Sequence, residues 1–163
     1  MTSVNDLQQS SGAANLTKPM PAVADDKTAV LLIAHGSRRA QANDDLLDLA
    51  QTLRQRTTYR PIEPSYLELA EPTVLEAGRR CVEQGAQRVL MFPYFLSAGR
   101  HVAEDLERLR QELSERNPAV DFQLCPPLGR HPLLIEIVQQ RLAERLDSSV
   151  SPERLPPGEP SPE

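Results

Sequence analysis

Apolar runs of strand length alternate with segments of helical periodicity through the middle of the chain. The runs suit strands buried on both faces, and the periodic segments place apolar residues on one helical face. The predicted strands are Ala29–Ala34, Ile62–Leu67, Arg88–Phe92 and Val120–Leu124, the second being the weakest. The predicted helices are Gln41–Arg56, Pro72–Gln84, His101–Arg116 and His131–Leu146. The apolar face of the first helix is predicted to consist of Leu46, Leu47, Ala50 and Leu53. The pattern is therefore a strand–helix unit repeated four times.

Strands separated by single helices must be parallel, because each helix returns the chain to the same edge of the sheet. Such a sheet is covered by helices on both faces. We therefore expect an α/β fold with an open parallel four-stranded sheet in a three-layer sandwich. Ligands of such sheets bind at the carboxyl ends of the strands. This rule selects the loops Gly36–Ala40, Leu67–Glu71, Pro93–Arg100 and Cys125–Arg130.

Proline marks where the domain ends. Five of the 15 prolines fall in the last dozen residues, in a Ser/Pro/Glu segment with too few apolar side chains to offset the entropy of ordering. We expect this tail, residues 148–163, to be disordered. Residues 1–27 show neither a signal-peptide nor a transit-peptide pattern and are predicted to form a second disordered tail. One domain, residues 28–147, remains.

Charge and cysteine usage exclude several classes of protein. The chain carries 18 Lys and Arg against 23 Asp and Glu, and its net charge of −5 argues against a nucleic-acid-binding surface. Its apolar runs are too short to span a membrane. The two cysteines, Cys81 and Cys125, have no disulfide-framework or zinc-site spacing, which favours the reducing cytoplasm.

Three ionisable side chains follow three successive predicted strands. They are His35, Glu68 and His101, each separated from the next by 33 residues, or one strand–helix unit. Two imidazoles and a carboxylate at one rim suit a divalent first-row metal ion and can also accept protons near neutral pH. Two alternatives stay open: Glu71 can replace Glu68, and a strand-end histidine can be purely structural. His131 is interpreted mainly as a helix entry.

Further rim residues suit an anionic, flat ligand. Arginine binds carboxylates through a planar pair of donors. Tyr94, Phe95 and Leu96 form either an apolar wall for a ligand or a continuation of the core beyond the third strand. The chain has no G-x-S-x-G, G-x-G-x-x-G or P-loop motif, so no common organic cofactor is predicted. The arginines in the predicted rim loops are Arg38, Arg39, Arg100 and Arg130.

Four motifs that carry these residues closely resemble the short-form class II chelatases, the CbiX/SirB-like sirohydrochlorin cobaltochelatases and ferrochelatases. The motifs are LLIAHGSR (Leu31–Arg38), YLELAEP (Tyr66–Pro72), PYFLSAGRHV (Pro93–Val102) and PLGRHP (Pro127–Pro132). They run through nearly the whole predicted domain, in order and with compatible spacing. The resemblance implies a flavodoxin-like three-layer sandwich.

The resemblance also implies a reaction and its residues. The expected reaction is ATP-independent insertion of Co²⁺ or Fe²⁺ into the tetrapyrrole sirohydrochlorin, a lyase step of cobalamin or sirohaem biosynthesis. His35 and His101 would bind the metal and accept the pyrrole protons, with Glu68 assisting at the metal. A homodimer is implied, because long-form relatives contain two such domains. The implied substrate-binding residues are Ser37, Arg38, Tyr94, Phe95, Leu96, Ser97 and Arg100.

Two other functions are compatible with parts of the pattern. A non-catalytic metal or tetrapyrrole carrier would use the same rim without turnover. A phosphoryl-transfer enzyme would use His35 with Arg38 and Arg39, but no phosphate-binding loop supports it. The leading hypothesis is therefore a chelatase, with a carrier as the alternative.

Overall fold

The computed structural model describes residues 27–129 and 131–146, in which strands and helices alternate four times. All eight predicted elements are present, with ends within two residues of the predicted ones. The two tails expected to be disordered lie outside the described residues except for Lys27, and so does Arg130. The elements are β1 (Thr28–Ala34), α1 (Gln41–Arg56), β2 (Ile62–Tyr66), α2 (Val74–Glu83), β3 (Arg88–Pro93), α3 (Arg100–Arg116), β4 (Asp121–Leu124) and α4 (Leu133–Leu146).

The four strands form one parallel sheet in the order β2-β1-β3-β4. β1 therefore lies between two partners, with Val30 in register with Ile62 on one side and Leu90 on the other. A strand that is paired on both edges and covered on both faces has no polar environment for a side chain, which explains the continuous apolar run in its sequence. The expected parallel α/β fold is confirmed.

Side chains alternate between two core layers along β1. Leu31 and Ile33 pack with residues of α2 and α3 on one face, whereas Val30 and Leu32 pack against α1 on the other. This alternation follows from the two-residue period of a strand. Leu47, expected on the inner face of α1, is instead 46% exposed. It follows the buried Leu46 by 100° around the helix and therefore points away from the sheet.

Helix α2 begins two residues later than predicted. Pro72 was expected in its first turn, but the helix starts at Val74 behind the N-cap residue Thr73. The Thr73 hydroxyl accepts a hydrogen bond from the Glu76 backbone N–H, and the Glu76 carboxylate accepts one from the Thr73 N–H at 2.9 Å. This reciprocal capping box satisfies two N–H groups that the helix cannot pair internally, and it fixes the start of α2.

Helix α4 contributes no buried residue to the core. Most of its large apolar side chains are exposed, among them Ile135, Val138 and Leu142. None of the described helices is both long and apolar enough to cross a bilayer. The apolar surface of α4 is therefore left without a partner in the described part of the chain.

Removing the α2 cap should destabilise the domain. We expect Thr73→Ala to lower the free energy of unfolding by about 1 kcal/mol, because the Glu76 N–H loses its acceptor. Urea unfolding followed by circular dichroism measures the change. Thr52→Ala, at an exposed position within α1, is the matched control and should stay within about 0.5 kcal/mol of wild type. Equal stability of the two variants would contradict a stabilising cap.

Candidate active site

The chain leaves β1 and β3 in opposite directions at the carboxyl edge of the sheet. β1 leads through α1 to β2 at one side, and β3 leads through α3 to β4 at the other. This divergence opens a crevice between the loops that follow the two strands, which is where open α/β sheets bind ligands. His35 directly follows β1, and the loop 94–99 follows β3. The two loops form the centre of the candidate site.

The His35 side chain lies across this crevice against Phe95. The ring centroids are 4.7 Å apart and the ring planes are inclined by 35°. Phe95 is only 9% exposed and belongs to the core, whereas His35 is exposed to solvent. An aromatic ring held by the core restricts the orientation of the imidazole that rests on it. His35 is therefore a supported group that a ligand can reach.

Glu68 is held beside His35 by the backbone. Its N–H donates to the His35 carbonyl at 3.0 Å, and the preceding Leu67 N–H donates to the Ala34 carbonyl at 2.9 Å. The loops can approach this closely because Gly36 has no side chain. A Cβ on Gly36, whose φ is +92°, would lie 2.0 Å from the Glu68 carbonyl oxygen. The loops that follow β1 and β2 are thus held together by backbone hydrogen bonds and by close packing at Gly36.

His101 is the second residue of α3, just after the N-cap residue Gly99. Its side chain is 96% exposed, and its Nδ1 lies 3.9 Å from the Glu104 carboxylate. Within residues 27–129 and 131–146, no group of three or more His, Cys, Asp or Glu side chains is arranged to hold a metal ion. The rim therefore carries His35, Glu68 and His101 without assembling them into one set of ligands.

Glu71 contacts the start of α2. Its carboxylate accepts a hydrogen bond from the Thr73 N–H at 3.0 Å. The pKa of Glu71 is raised, chiefly by its hydrogen bond to the Glu76 carboxyl, while the Thr73 N–H lowers the pKa of Glu76. The Glu71 and Glu76 carboxylates thus both contact the Thr73 N–H at the N-terminus of α2. This contact favours a structural role for Glu71 and argues against Glu71 taking the place of Glu68 at the metal.

Burial disfavours the thiolate form of both cysteines. Burial, with a smaller contribution from Glu63, raises the pKa of Cys81 to about 12. Burial also raises the pKa of Cys125. Both side chains therefore remain thiols at neutral pH, and only the thiolate is a strong metal ligand.

The positively charged side chains of the rim have no partners in the described part of the chain. Arg38, Arg39 and Arg100 are exposed and form no ion pair there, while Arg130 lies outside it. Ser37 shapes the loop that carries two of them: its Oγ accepts from the Arg39 N–H at 3.1 Å, and its carbonyl accepts from the Asn43 side chain at 3.0 Å. These guanidinium groups are available to an anionic ligand.

The three residues after β3 do not form a uniform apolar wall. Tyr94 packs beneath α1 with the core residues of that face, and Phe95 packs on the opposite face with α2 and α3. Only Leu96, at 66% exposure, presents most of its side chain to solvent. Tyr94 and Phe95 therefore continue the core beyond β3, which was the alternative to an apolar wall for a ligand. They pack in opposite layers because successive residues of an extended chain point to opposite faces of the sheet. Ser97, next in the loop, is exposed.

Gly129 is a site residue that the sequence did not single out. A Cβ there would lie 1.4 Å from the Leu96 carbonyl oxygen, and the adjacent Leu128 N–H donates to the Phe95 carbonyl at 3.1 Å. The linker after β4 is thereby locked to the loop after β3. The only available signal was the glycine itself, since nothing local in the sequence shows which backbone it approaches.

Comparisons with known proteins agree with this geometry. The CbiX family model matches residues 29–145. A chloroplastic sirohydrochlorin ferrochelatase of Arabidopsis thaliana is 35% identical over 117 residues, which cover 72% of this chain and 52% of that protein. A sirohydrochlorin cobaltochelatase of Methanococcoides burtonii is 31% identical over 127 residues, covering 73% of this chain and 97% of that protein.

A solved structure shows the same fold. SirB from Bacillus subtilis with Fe³⁺ is similar with a TM-score of 0.68 at 26% identity, covering 74% of this chain and 48% of that one. This chain thus spans about half the length of the Arabidopsis and Bacillus proteins and nearly all of the Methanococcoides protein.

The contact at Gly36 can be tested against a glycine with the same backbone conformation. Gly36→Ala and Gly85→Ala both place a Cβ at φ near +90°, which costs about 1–2 kcal/mol. Only Gly36→Ala also meets the Glu68 carbonyl, since nothing lies within 4 Å of a Cβ on Gly85. We expect a further loss of about 1–3 kcal/mol for Gly36→Ala in urea unfolding. Equal losses would show that the two loops separate without cost.

Proposed function

The chain belongs to the CbiX family, and we propose that it inserts a divalent metal ion, Co²⁺ or Fe²⁺, into sirohydrochlorin. The observation that carries the proposal is the exposed His35, supported by Phe95 at the switch point of the sheet, with the Glu68 backbone bonded beside it.

Metal insertion requires bases at the site of metal delivery. The incoming M²⁺ replaces two pyrrole N–H protons of the macrocycle, so one metal ion is taken up and two protons leave. His35 and His101 are the proposed acceptors, because neutral imidazole takes protons near pH 7. No organic cofactor and no ATP enter this balance.

The open arrangement of the three groups suits a metal that must be passed on. A closed set of protein ligands would compete with the macrocycle nitrogens for the ion. The His101 side chain is 96% exposed, with the Glu104 carboxylate 3.9 Å from its Nδ1, so ordering it on a ligand costs about the rotamer entropy of one side chain. We propose that His35, His101 and Glu68 bind the metal only while the macrocycle is in place.

The charge of the rim matches the substrate. Sirohydrochlorin is a flat apolar ring with eight carboxylates, and Arg38, Arg39 and Arg100 offer guanidinium groups without ion-pair partners in the described part of the chain. The exposed Leu96 offers an apolar contact for the ring. Ser37, which shapes the loop before α1, and Ser97 are proposed to contact the substrate as well.

We propose that the chain works as a homodimer with α4 at the interface. Ile135, Val138, Leu142 and Leu146 follow a spacing of three and four residues along one helical face and are between 56% and 83% exposed. An exposed apolar stripe of this kind is typical of an association surface. A second copy is the proposed occupant, because the matched region is only half of the Arabidopsis and Bacillus proteins.

The location of the protein stays a prediction. The two free cysteines, whose pKa values are raised by burial, are consistent with the reducing cytoplasm expected from the sequence. The Arabidopsis relative is described as chloroplastic, so the compartment differs within the family.

Loss of either histidine should abolish turnover without unfolding the protein. We expect His35→Ala and His101→Ala to lower kcat by at least about 100-fold, the typical contribution of one acid–base group. Both side chains are exposed, so the melting temperature should not change. The assay follows the visible spectrum of sirohydrochlorin with each metal under anaerobic conditions, with Glu115→Ala on the distant end of α3 as control. Full activity of both variants would refute the mechanism.

Turnover separates the chelatase from a carrier. With substrate and metal at 50 equivalents over protein, the proposed enzyme converts all of the macrocycle at a rate proportional to protein concentration. A carrier would stop after one equivalent. The uncatalysed rate without protein is subtracted.

Charges on the apolar stripe should separate the copies. We expect Val138→Glu with Leu142→Glu to weaken dimerisation by more than about tenfold, because each buried apolar side chain contributes roughly 1.5–3 kcal/mol. Gln140→Glu adds one charge on the other side of α4 and should leave the dimer intact. Size-exclusion chromatography with light scattering over a dilution series measures both. A wild-type monomer at every concentration would refute the proposed dimer.

A further inference from the structure

A cleft of about 530 Å³ opens beside the proposed site, between the loop after β3 and the linker from β4 to α4. Leu96 and Ala98 line one wall, and Pro126 and Pro132 line the other. Among the described residues that line it, the polar side chains are Ser97 and His131, and none is Asp or Glu. A mostly apolar cleft with a few hydrogen-bonding groups and no opposing negative charge is suited to an anionic arm on an apolar ligand.

The cleft is fixed in position relative to His35. The Leu128 N–H bonds to the carbonyl of Phe95, the residue that supports the His35 ring, and Gly129 packs directly on Leu96. Both walls of the cleft are therefore connected to His35 through the backbone of Phe95 and Leu96. A group bound in the cleft would have a defined distance to His35.

The hydrogen bonds of His131 determine which of its nitrogens is available. Its Nδ1 accepts a hydrogen bond from the Leu133 N–H at 3.3 Å, at the start of α4. A neutral imidazole that accepts at Nδ1 carries its proton at Nε2. Among residues 27–129 and 131–146, no group is bonded to that Nε2. The ring therefore presents a donor with no partner there, at the wall of the cleft.

We infer that this cleft binds a peripheral carboxylate arm of the macrocycle and that His131 donates from Nε2 to that carboxylate. The inference rests on the proposed function and adds a substrate-positioning subsite to it. The arm would place its methylene groups against Leu96 and the prolines while its carboxylate meets the imidazole N–H and the Ser97 hydroxyl. Since the cleft is tied to Phe95, one bound arm would set how the ring lies over His35.

Two substitutions separate this role from a purely structural one. His131→Asn keeps an acceptor close to the position of Nδ1, so it can still bond the Leu133 N–H, but it lacks a donor at the Nε2 position. His131→Gln places an amide N–H near the Nε2 position and loses the local acceptor. The two variants therefore remove the two functions of the ring one at a time.

The substrate-binding role predicts that His131→Asn raises the Kd for sirohydrochlorin about tenfold, as for loss of one hydrogen bond to a charged group. The Kd comes from absorbance titration without metal. His131→Asn should also raise KM with kcat within twofold of wild type and an unchanged melting temperature. His131→Gln should stay within about threefold of the wild-type Kd and melt at a lower temperature. A Kd for His131→Asn within twofold of wild type overturns the inference, whatever the turnover.

A macrocycle with esterified carboxylates gives an independent check. Its weaker binding should be insensitive to His131→Asn, because no charged acceptor remains, and an equal tenfold effect on the ester would overturn the inference. Failure of the proposed function is distinguishable. It would appear as tight, His131-dependent binding of sirohydrochlorin by wild-type protein without multiple turnovers.

Discussion

The pairing of β1 on both of its edges is the constraint on which the rest of the molecule depends. With β2 on one side and β3 on the other, all parallel, the carboxyl ends of these strands meet at one edge of the sheet. Backbone bonds continue past the strand ends, with the Leu67 N–H on the Ala34 carbonyl and the Tyr94 N–H on the Ile33 carbonyl at 2.7 Å. The rim is thus a continuation of the sheet, which is why its loops are ordered enough to hold functional groups.

Close backbone approaches at two glycines divide the rim into two locked pairs of loops. Gly36 joins the loops after β1 and β2, and Gly129 joins the segments after β3 and β4. The contact of His35 with Phe95 connects the two pairs across the crevice. The groups proposed to act on the ligand are few and exposed, while the backbone beneath them is held by hydrogen bonds and close contacts. That combination suits a site that must both receive a metal ion and release it.

The elements and their order followed from the sequence because each is a local pattern. The helical periodicity of α1 and the apolar run of β1 each predict an element from adjacent residues alone. The predictions that were wrong concern single residues within elements that are otherwise correct. Pro72 and the Thr73–Glu76 capping box are two competing signals for the start of α2. Proline in the first turn predicts a start at Pro72, but the capping box forms and the helix starts at Val74. Leu47 was assigned to the inner face because sequence spacing alone does not show how α1 is rotated against the sheet.

The α/β class, the parallel sheet and the rim that carries His35, Glu68 and His101 followed from patterns in the amino-acid sequence. Topology rules turn strand order into a shared edge, so these residues needed no tertiary information to be grouped. Three contacts are visible only in the folded protein. Phe95 supports His35 from the core, Gly129 packs the linker against Leu96, and the His131 Nδ1 accepts a local hydrogen bond while its Nε2 has no partner among the described residues. Each of these depends on a contact between segments distant in the chain, or on which nitrogen of a ring faces which neighbour. Contacts of these two kinds produce no hydrophobic periodicity or local motif from which they could be predicted.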